Sequence, residues 1–447
     1  MKMEVWLESH ERRIGVLERA ETKALTFTYD EGMSASGQIS FSLPVRAEPY
    51  TDGECRGYFE NLVYEGPQLD RLLASYRLDR DDIGTLLYHV GGDCPGAVSV
   101  TPEGQGPGKR PGRFPEDYDL ISEERLLGIV WSLHEQRAVP ESEIDPSPVA
   151  GVQGKIAVVV EGRRYYLPRV GTGAPTTHIL KVSPQREPDL TEQEGALLNL
   201  ARICGVPVTG FELKRFDANG RNIKAILLER FDRKIVNGRI HRIHVEDFCQ
   251  ALGLSPLLKY ERKSVSATHR FSARAIGGLA ARVSAPGIFI ERFIDQTLFN
   301  LLVGNTDNHA KNASVLYAMR ETELAPLYDV VPVFMDRTVI HQFSFAIGEA
   351  QYAEDLSMAA LKTMAADLGV QNPRYEKHLL SRMLMMVQRF RETMDQMGSK
   401  ALADALAEQM TVVATALDVK LGVPVRDYYN RICRDERQGA GGWADLS

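Results

Sequence analysis

The sequence predicts a two-lobed α+β protein in which a small sheet-rich lobe precedes a larger, mainly helical lobe. Strand-like apolar segments cluster between residues 155 and 232 and enclose one helical segment at 191–203. Beyond about residue 245 the pattern becomes mainly helical. Apolar residues recur three to four positions apart in three late runs, near 356–369, 374–397 and 400–419. This change of period along the chain predicts a sheet first and a helical lobe afterwards.

The first hundred residues predict a separate α+β subdomain. They combine short alternating strands, such as EVWLE at the start and QISFSLPV at 38–45, with a helical run near 67–76. The segment that follows, 102–115, is rich in Gly, Pro, Lys and Arg, and we interpret it as a loop or linker. We expect four regions: an N-terminal subdomain at 1–101, a linker and sheet-rich lobe at 102–235, a helical lobe at 236–433, and a mobile tail at 434–447.

Composition excludes several classes of protein. Of the 447 residues, 44% are hydrophobic and 25% are charged, as is ordinary for globular domains. The five cysteines show no C-x-x-C spacing, which argues against a disulfide framework and a zinc site. A net charge of −7 argues against a protein that coats nucleic acid by itself. No leader and no membrane-spanning apolar run is evident, so we expect a cytoplasmic protein.

The most informative segment is LFNLLVGNTDNHAKN at 298–312, where an apolar helical run meets Gly304 and then a polar loop. Asp307 and Asn312 in this loop have the D-x-x-x-x-N spacing of a kinase catalytic loop. In such a loop the Asp accepts the proton of the substrate hydroxyl and the Asn oxygen ligates magnesium. A capped polar turn after a helix fits the same residues, so the spacing alone leaves both interpretations open.

Asp329 lies further along the chain in the apolar segment LAPLYDVVPVF. An unpaired carboxylate is costly in such surroundings, so this Asp is expected to be paired, hydrogen-bonded or bound to a metal. A kinase requires a second magnesium-binding carboxylate at this place, after the catalytic loop. A structural Asp that accepts hydrogen bonds from backbone amides remains the alternative.

Upstream features complete the order of a two-lobed kinase. Gly151 and Gly154 precede the strand that begins at Lys155, and glycines let backbone N–H groups approach a phosphate closely. Lys181 in HILKVS suits contact with phosphates, with Glu194 as its ion-pair partner, and LLERFDR at 227–233 suits a hinge that holds adenine. A hairpin turn and a solvated helix glutamate are the plainer alternatives. The order of all these features favours the kinase interpretation.

These segments together resemble the HipA family. The resemblance rests on GYFENLVYEG at 57–66, VAGVQGK, HILKV, LLERFDR, EDFCQALGL, KYE at 259–261, GNTDNHAKN and PLYDV. It covers most of the chain and thins out in the C-terminal helices. It implies a protein-kinase-like fold with an extra N-terminal subdomain, ATP and Mg2+ as cofactors, and transfer of phosphate to a serine or threonine of a protein.

The resemblance also implies a role for individual residues. Asp307 is the catalytic base, and Asn312 and Asp329 are the magnesium ligands. The loop that binds phosphate comprises Ala150, Gly151, Val152, Gln153, Gly154 and Lys155. Lys181 is a separate phosphate contact. The remaining nucleotide contacts are Glu229, Arg230, Phe231, His309, Ala310, Lys311 and Tyr328.

Family members phosphorylate aminoacyl-tRNA synthetases, often the glutamyl enzyme, which inhibits translation and leads to growth arrest and persistence. A small DNA-binding antitoxin of the HipB type holds them inactive, and they autophosphorylate a serine at the glycine loop. The candidate here is Ser147. Pro148 separates it from the Val-Ala-Gly motif, whereas the family pattern places the serine immediately before the valine. Gly154 also departs from the family, where an acidic residue is common. A small-molecule phosphotransferase and a non-catalytic nucleotide-binding partner of a repressor remain alternative functions.

Overall fold

The computed structural model describes residues 1–10, 12–63, 69–70, 73–74, 76–140, 143, 153–318 and 321–425. The chain forms two compact units. The first comprises Met1–Thr191, Gly210–Pro256 and Val315–Arg320, and the second comprises Glu192–Thr209, Leu257–Ser314 and Glu321–Ser447. The four sequence regions expected above stay predictions.

The strands of the described residues follow in chain order. They are β1 Lys2–Leu7, β2 Gly15–Arg19, β3 Leu25–Tyr29, β4 Val98–Pro102, β5 Gly112–Arg113, β6 Tyr118–Leu120, β7 Lys155–Glu161, β8 Arg164–Pro168, β9 His178–Val182, β10 Phe211–Ala218, β11 Arg221–Glu229, β12 Arg233–Val236, β13 Arg239–Arg242, β14 Val245–Asp247, β15 Ser314–Ala318 and β16 Glu321–Leu324.

The α-helices of the same residues are α1 Asp52–Glu60, α2 Ile83–Val90, α3 Glu123–Gln136, α4 Leu190–Ile203, α5 Phe248–Ala251, α6 Ala273–Ala280, α7 Pro286–Val303, α8 Met358–Asp367, α9 Tyr375–Thr393 and α10 Lys400–Ala416. None of these helices combines the length and the hydropathy required to cross a bilayer.

The N-terminal part of the first unit is built on an antiparallel sheet of order β3-β2-β1-β4. Met3, Val5 and Leu7 alternate along β1 and are buried in the core of this sheet, as its alternating sequence predicts. Helix α1 contributes Tyr58 and Phe59 to the same core. The predicted helical run near 67–76 lies largely outside the described residues.

A second, larger sheet of the first unit has the order β10-β11-β9-β7-β8-β6. Apolar residues of β7, β9 and β11 form one core with Ile129 and Leu133 of α3. Strand β7 pairs antiparallel with β9 in a register that sets Lys155 opposite Lys181. The strands predicted between 155 and 232 are therefore present, and they carry both lysines into one sheet.

Several short strands differ from the sequence interpretation. The segment 102–115 contains β5, which pairs with β13, although it was expected to hold no regular element. The helical pattern expected beyond about residue 245 includes EDFCQALGL, but the first two residues of this segment belong to β14. Only the short helix α5 follows, and a capping box of Asp247 and Gln250 begins it. Strands of two to five residues show too few alternations to be recognised by period, and their pairing partners are distant in sequence.

The second unit is built around α7, most of whose residues are buried. Helix α7 begins with Pro286 at its first position, where a missing N–H has no cost, and ends at Gly304. Helix α10 packs against it, and Gln409 Nε2 donates to the carbonyl oxygen of Leu301 at 2.9 Å. The three predicted late helices are confirmed as α8, α9 and α10. The polar loop therefore starts at the end of a helix that is fixed along its length.

Candidate active site

The polar loop of the second unit starts at Gly304, which has a φ of +67°. Only glycine adopts this conformation without strain, and a Cβ here would lie 2.3 Å from Cδ1 of Phe334. The Phe334 N–H donates to the Gly304 carbonyl at 3.1 Å. The helix therefore ends at a defined residue, and the chain leaves it in a defined direction.

Asp307 and Asn312 are joined in one compact turn. Nδ2 of Asn312 donates to the backbone carbonyl of Asp307 at 2.8 Å, and the His309 N–H donates to the same carbonyl at 2.8 Å. Residues Ala310–Asn312 form a single 3-10 turn. Because the amide nitrogen of Asn312 donates within the loop, its Oδ1 atom is the acceptor that the carboxamide retains.

Tyr328 joins the segment that carries Asp329 to this loop. Its hydroxyl donates to the carbonyl of Lys311 at 3.0 Å and lies 2.7 Å from Oγ of Ser314. Tyr328 and Asn312 line the same small cavity. Asp329 is half-buried and has a φ of +56°, in the left-handed region that Asp and Asn tolerate best after glycine. The second unit thus brings Asp307, Asn312 and the Tyr328 segment together.

Tyr260 contacts Asp307, although the sequence assigned it no role. Its hydroxyl donates to Oδ1 of Asp307, and its ring meets that of His309 edge to face, with centroids 5.1 Å apart. The adjacent carbonyl of Lys259 accepts from the Ala310 N–H at 3.0 Å. The only sequence signal was the family word KYE at 259–261, which does not reveal what its tyrosine contacts.

The segment 344–346 of the second unit forms hydrogen bonds with the loop at 307–312 and with Glu261. Oγ of Ser344 lies 2.9 Å from the carbonyl oxygen and 2.8 Å from Oδ1 of Asn308. The Glu261 N–H donates to the Ser344 carbonyl at 2.8 Å, and its carboxylate accepts from the Ala346 N–H at 2.6 Å. Residues 259–261, 307–312 and 344–346 are therefore tied together by hydrogen bonds.

The first unit holds the predicted lysines on its larger sheet. Lys181 is buried on β9, and Lys155 is half-buried opposite it on β7. Gly154 precedes β7, and its carbonyl accepts from the Val182 N–H at 3.0 Å. A Cβ at Gly154 would lie 2.7 Å from the carbonyl oxygen of Leu133 at the end of α3. A side chain at this position would therefore require α3 to shift.

The predicted hinge at 227–233 is held by backbone hydrogen bonds and by an ion cluster. The Glu229 N–H donates to the Gly210 carbonyl at 2.7 Å, and the Arg230 N–H donates to the Thr177 carbonyl at 2.9 Å. Asp232 is buried between two guanidinium groups, with Oδ2 3.0 Å from Arg230 Nη2 and 2.5 Å from Arg233 Nη1. The side chain of Arg230 thus bonds to Asp232 within the protein.

Four predicted residues, Ser147, Ala150, Gly151 and Val152, lie outside the described residues. Gln153, at the edge of the described part, has a buried Nε2 atom without a partner among the residues described. The first unit therefore carries Gln153, Gly154, Lys155, Lys181 and Glu229–Phe231. The second carries Asp307, His309–Asn312, Tyr328 and Asp329.

Two family models match the chain. The HipA N-terminal domain matches residues 3–101, and the HipA-like C-terminal domain matches residues 147–405. Among curated proteins, the chain is 33% identical to the protein Y4mE of Sinorhizobium fredii, whose name classes it as a kinase, over 76% of this chain and 79% of the relative. It is 30% identical to the serine/threonine-protein kinase toxin HipA of Shewanella oneidensis, over 74% of each chain.

A solved structure agrees with this relation. The HipA chain in the complex of Shewanella oneidensis HipA, HipB and operator DNA superposes with a TM-score of 0.73 at 25% identity, over 93% of this chain and 96% of that chain. The predicted α+β, kinase-like fold is therefore confirmed. The two domain models together span the N-terminal sheet and the segments that carry Lys181, Asp307 and Asp329. The chain belongs to the HipA family of kinase-like toxins.

Proposed function

We propose that this protein is an ATP-dependent serine/threonine protein kinase and the toxin of a toxin–antitoxin pair. The observation that carries the proposal is the turn in which Asn312 Nδ2 bonds to the Asp307 carbonyl and leaves Asn312 Oδ1 as an acceptor. A carboxylate and an amide oxygen held in one rigid loop suit a proton acceptor beside a metal ligand. A polar turn with a purely structural role does not require both groups.

In the proposed reaction, the Asp307 carboxylate accepts the proton of a serine or threonine hydroxyl. The hydroxyl oxygen forms a bond to the γ-phosphorus of ATP while the bond from that phosphorus to the oxygen of ADP breaks. Catalysis of this kind depends on positioning and on stabilisation of charge. Lys155 and Lys181 supply positive charge for the phosphates, and Glu229 and Phe231 line the adenine pocket.

The residues present fit ATP and magnesium. Asn312 Oδ1 and the Asp329 carboxylate are oxygen donors, which Mg2+ prefers, and Mg2+ commonly takes few protein ligands and fills its shell with phosphate oxygens and water. The described residues contain no cluster of three or more His, Cys, Asp or Glu that could hold a metal ion. When bound, Mg2+ neutralises charge on the phosphates. The buried Gln153 N–H donor suits a phosphate oxygen.

A solved relative supports the proposed antitoxin partner, and the family resemblance suggests the substrate. The Shewanella oneidensis relative was solved with HipB and its operator DNA, and we propose a HipB-like DNA-binding antitoxin for this chain. DNA is then bound only through that partner. The proposed substrate is a cytoplasmic aminoacyl-tRNA synthetase such as the glutamyl enzyme. Its phosphorylation inhibits translation and produces growth arrest and persistence.

Autophosphorylation of Ser147 is proposed as the step that inactivates the kinase. A phosphate dianion next to a loop that binds phosphates repels ATP. Peptide mass spectrometry after incubation with ATP is expected to find the phosphate on Ser147. Phosphate elsewhere, or on no residue, contradicts this part of the proposal.

The central test compares the wild type with Asp307→Gln. Each protein is incubated with radiolabelled ATP, magnesium and a bacterial lysate that contains tRNA, and labelled proteins are identified by mass spectrometry. A control, Asp367→Asn, removes a carboxylate of the same unit that pairs with the exposed Arg274. We expect the wild type and Asp367→Asn to label a tRNA synthetase and Asp307→Gln to label nothing.

The other outcomes select the alternatives. Label on a small molecule instead of a protein indicates a small-molecule phosphotransferase. Equal labelling by wild type and Asp307→Gln contradicts the kinase mechanism proposed here. If neither protein labels any molecule, a nucleotide-binding partner of a repressor, which acts by assembly alone, becomes the leading function.

A further inference from the structure

We infer that Tyr260 is a positioning residue that holds the Asp307 carboxylate in its reactive orientation. The inference rests on the proposed function, in which Asp307 accepts the proton of the substrate. It adds a residue of the segment 259–261 to the catalytic machinery. That residue acts through Asp307 and does not touch the reacting atoms itself.

The hydrogen bond between the two residues is directional, and its donor is buried. The Tyr260 hydroxyl donates to Oδ1 of Asp307; Tyr260 is only 2% exposed, and Asp307 is half-buried. A hydrogen bond to an ionised acceptor is stronger than one between neutral groups, and burial of the donor limits competition from water. With Oδ1 engaged, rotation of the carboxylate is restricted, and Oδ2 is the oxygen that can accept the substrate proton.

Aromatic contacts hold the tyrosine ring itself. His309 meets it edge to face with centroids 5.1 Å apart, and the guanidinium carbon of Arg262 lies 4.0 Å from the ring centroid. Aromatic pairs and cations over ring faces fix ring orientation. His309 belongs to the same loop as Asp307. The contact with His309 therefore holds the Tyr260 ring against this loop, and the hydrogen bond from the Tyr260 hydroxyl holds the Asp307 carboxylate.

Backbone hydrogen bonds fix the chain on both sides of Tyr260. The Lys259 carbonyl accepts from the Ala310 N–H at 3.0 Å, and the Glu261 N–H donates to the Ser344 carbonyl at 2.8 Å. The position of the Tyr260 hydroxyl is therefore fixed both by the backbone hydrogen bonds of its neighbours and by the contacts of its ring. A donor that is held in this way positions its acceptor with little reorganisation during the reaction.

The test removes the hydroxyl and keeps the ring. In Tyr260→Phe we expect kcat for phosphorylation of the protein substrate to fall about 10- to 100-fold, because small displacements of a reacting group cost this much. We expect KM for ATP and the affinity for nucleotide to stay within about twofold of wild type, since this inference gives Tyr260 no contact with ATP. A tyrosine that only stabilises the fold does not produce this split between kcat and KM.

The chain offers a matched control for this substitution. Tyr375 of α9 is also buried and also donates to a carboxylate, at 2.7 Å from Oε1 of Glu291, in the same unit. Tyr375→Phe is expected to keep the kcat of the wild type. Incorporation of 4-aminophenylalanine at 260 restores a donor at the ring, and we expect it to restore kcat to within about threefold of wild type.

Three results overturn the inference. They are a wild-type kcat in Tyr260→Phe, a failure of the aminophenylalanine to restore activity, and a melting temperature that falls by more than about 5 °C in Tyr260→Phe, which indicates a structural role. Asp307→Gln measured in parallel separates these from failure of the proposed function. If Asp307→Gln is inactive and Tyr260→Phe is fully active, the kinase mechanism stands without Tyr260. If both are fully active, the proposed function itself fails.

Discussion

Nδ2 of Asn312 donates to the backbone carbonyl of Asp307 at 2.8 Å, so the two ends of the D-x-x-x-x-N spacing are bonded to each other. Asn312→Ala removes this bond together with the Oδ1 atom proposed to ligate magnesium. We expect phosphoryl transfer to fall at least 10- to 100-fold, the range found when groups that orient a metal site are removed. The measurement is the initial rate of transfer across a magnesium titration.

Asn372→Ala is the control for this prediction, because Asn372 is an exposed residue of the same unit whose Oδ1 accepts from the Arg374 N–H. It is expected to leave both the rate and the magnesium dependence unchanged. A wild-type rate in Asn312→Ala at every magnesium concentration contradicts the proposed role of the Asn312 side chain.

Gly304→Ala is expected to destabilise the protein and to lower its activity. The new Cβ lies 2.3 Å from Cδ1 of Phe334, and the alanine backbone must keep a φ of +67°. The residue that starts the proposed catalytic loop is therefore strained in two ways. A loss of about 1–3 kcal/mol in the free energy of unfolding is expected, measured by urea titration. Gly287→Ala in the same helix is the control, since a Cβ there meets no atom within 4 Å and favours the helix.

Asp232→Asn is expected to be among the most destabilising single changes in the first unit. Burial alone raises the pKa of this carboxyl, but the charges and hydrogen bonds of Arg230 and Arg233 outweigh burial and hold it well below its ordinary value. Asparagine removes the carboxylate charge that both guanidinium groups contact, at a cost of about 3–5 kcal/mol. Calorimetry at neutral pH measures the lowered melting temperature.

The same pKa shift predicts sensitivity to acid. A carboxyl whose pKa is depressed in the folded state stabilises that state above its ordinary pKa, and the contribution is lost as the pH falls through the folded value. We therefore expect the stability difference between wild type and Asp232→Asn to be full at pH 7 and to shrink below about pH 4. A difference that does not depend on pH contradicts the assignment.

Glu246 predicts the opposite pH dependence. Its carboxylate is fully buried and accepts from Oγ of Ser40, the Phe41 N–H and the hydroxyl of Tyr317. Burial raises its pKa from 4.5 to about 7, although these three hydrogen bonds lower it. The stability that it contributes is full below pH 4.5 and is lost as the pH rises to about 7, which amounts to roughly 3–4 kcal/mol at 1.4 kcal/mol per pH unit.

We expect Glu246→Gln to flatten the stability curve between about pH 4.5 and 7, because glutamine does not ionise. The free energy of unfolding is measured at each pH by urea titration. The control is Glu18→Gln, which changes an exposed glutamate that pairs with Lys2. A wild-type slope in Glu246→Gln means that another group is responsible for the pH dependence.

The sequence predicted the longer elements of the fold well. Apolar runs predicted β7, β9 and β11, and apolar residues three to four positions apart predicted α8, α9 and α10. Each of these elements contains several repeats of its period. The strand order β10-β11-β9-β7-β8-β6 was not predictable, since periodicity indicates which face is buried and not which strand lies alongside. The short strands β5 and β14 were missed because they contain only two or three residues.

The site was predictable where its residues are close in sequence. Asp307 and Asn312 share one loop, so their spacing was informative, and the structure adds the bond that joins them. Tyr260 lies 47 residues before Asp307, and only the folded chain brings its hydroxyl to that carboxylate. The packing of Gly154 on α3 was hidden in the same way, because the nearest atom belongs to Leu133.

The backbone of Asp329 has a consequence for the evolution of the chain. At the Asp329 φ of +56°, every residue except glycine is strained, and asparagine tolerates this conformation about as well as aspartate. Glycine at this position relieves that strain and removes the carboxylate that we propose to bind magnesium. Laboratory selection for heat resistance alone is therefore expected to replace Asp329, whereas selection that also requires phosphoryl transfer keeps it.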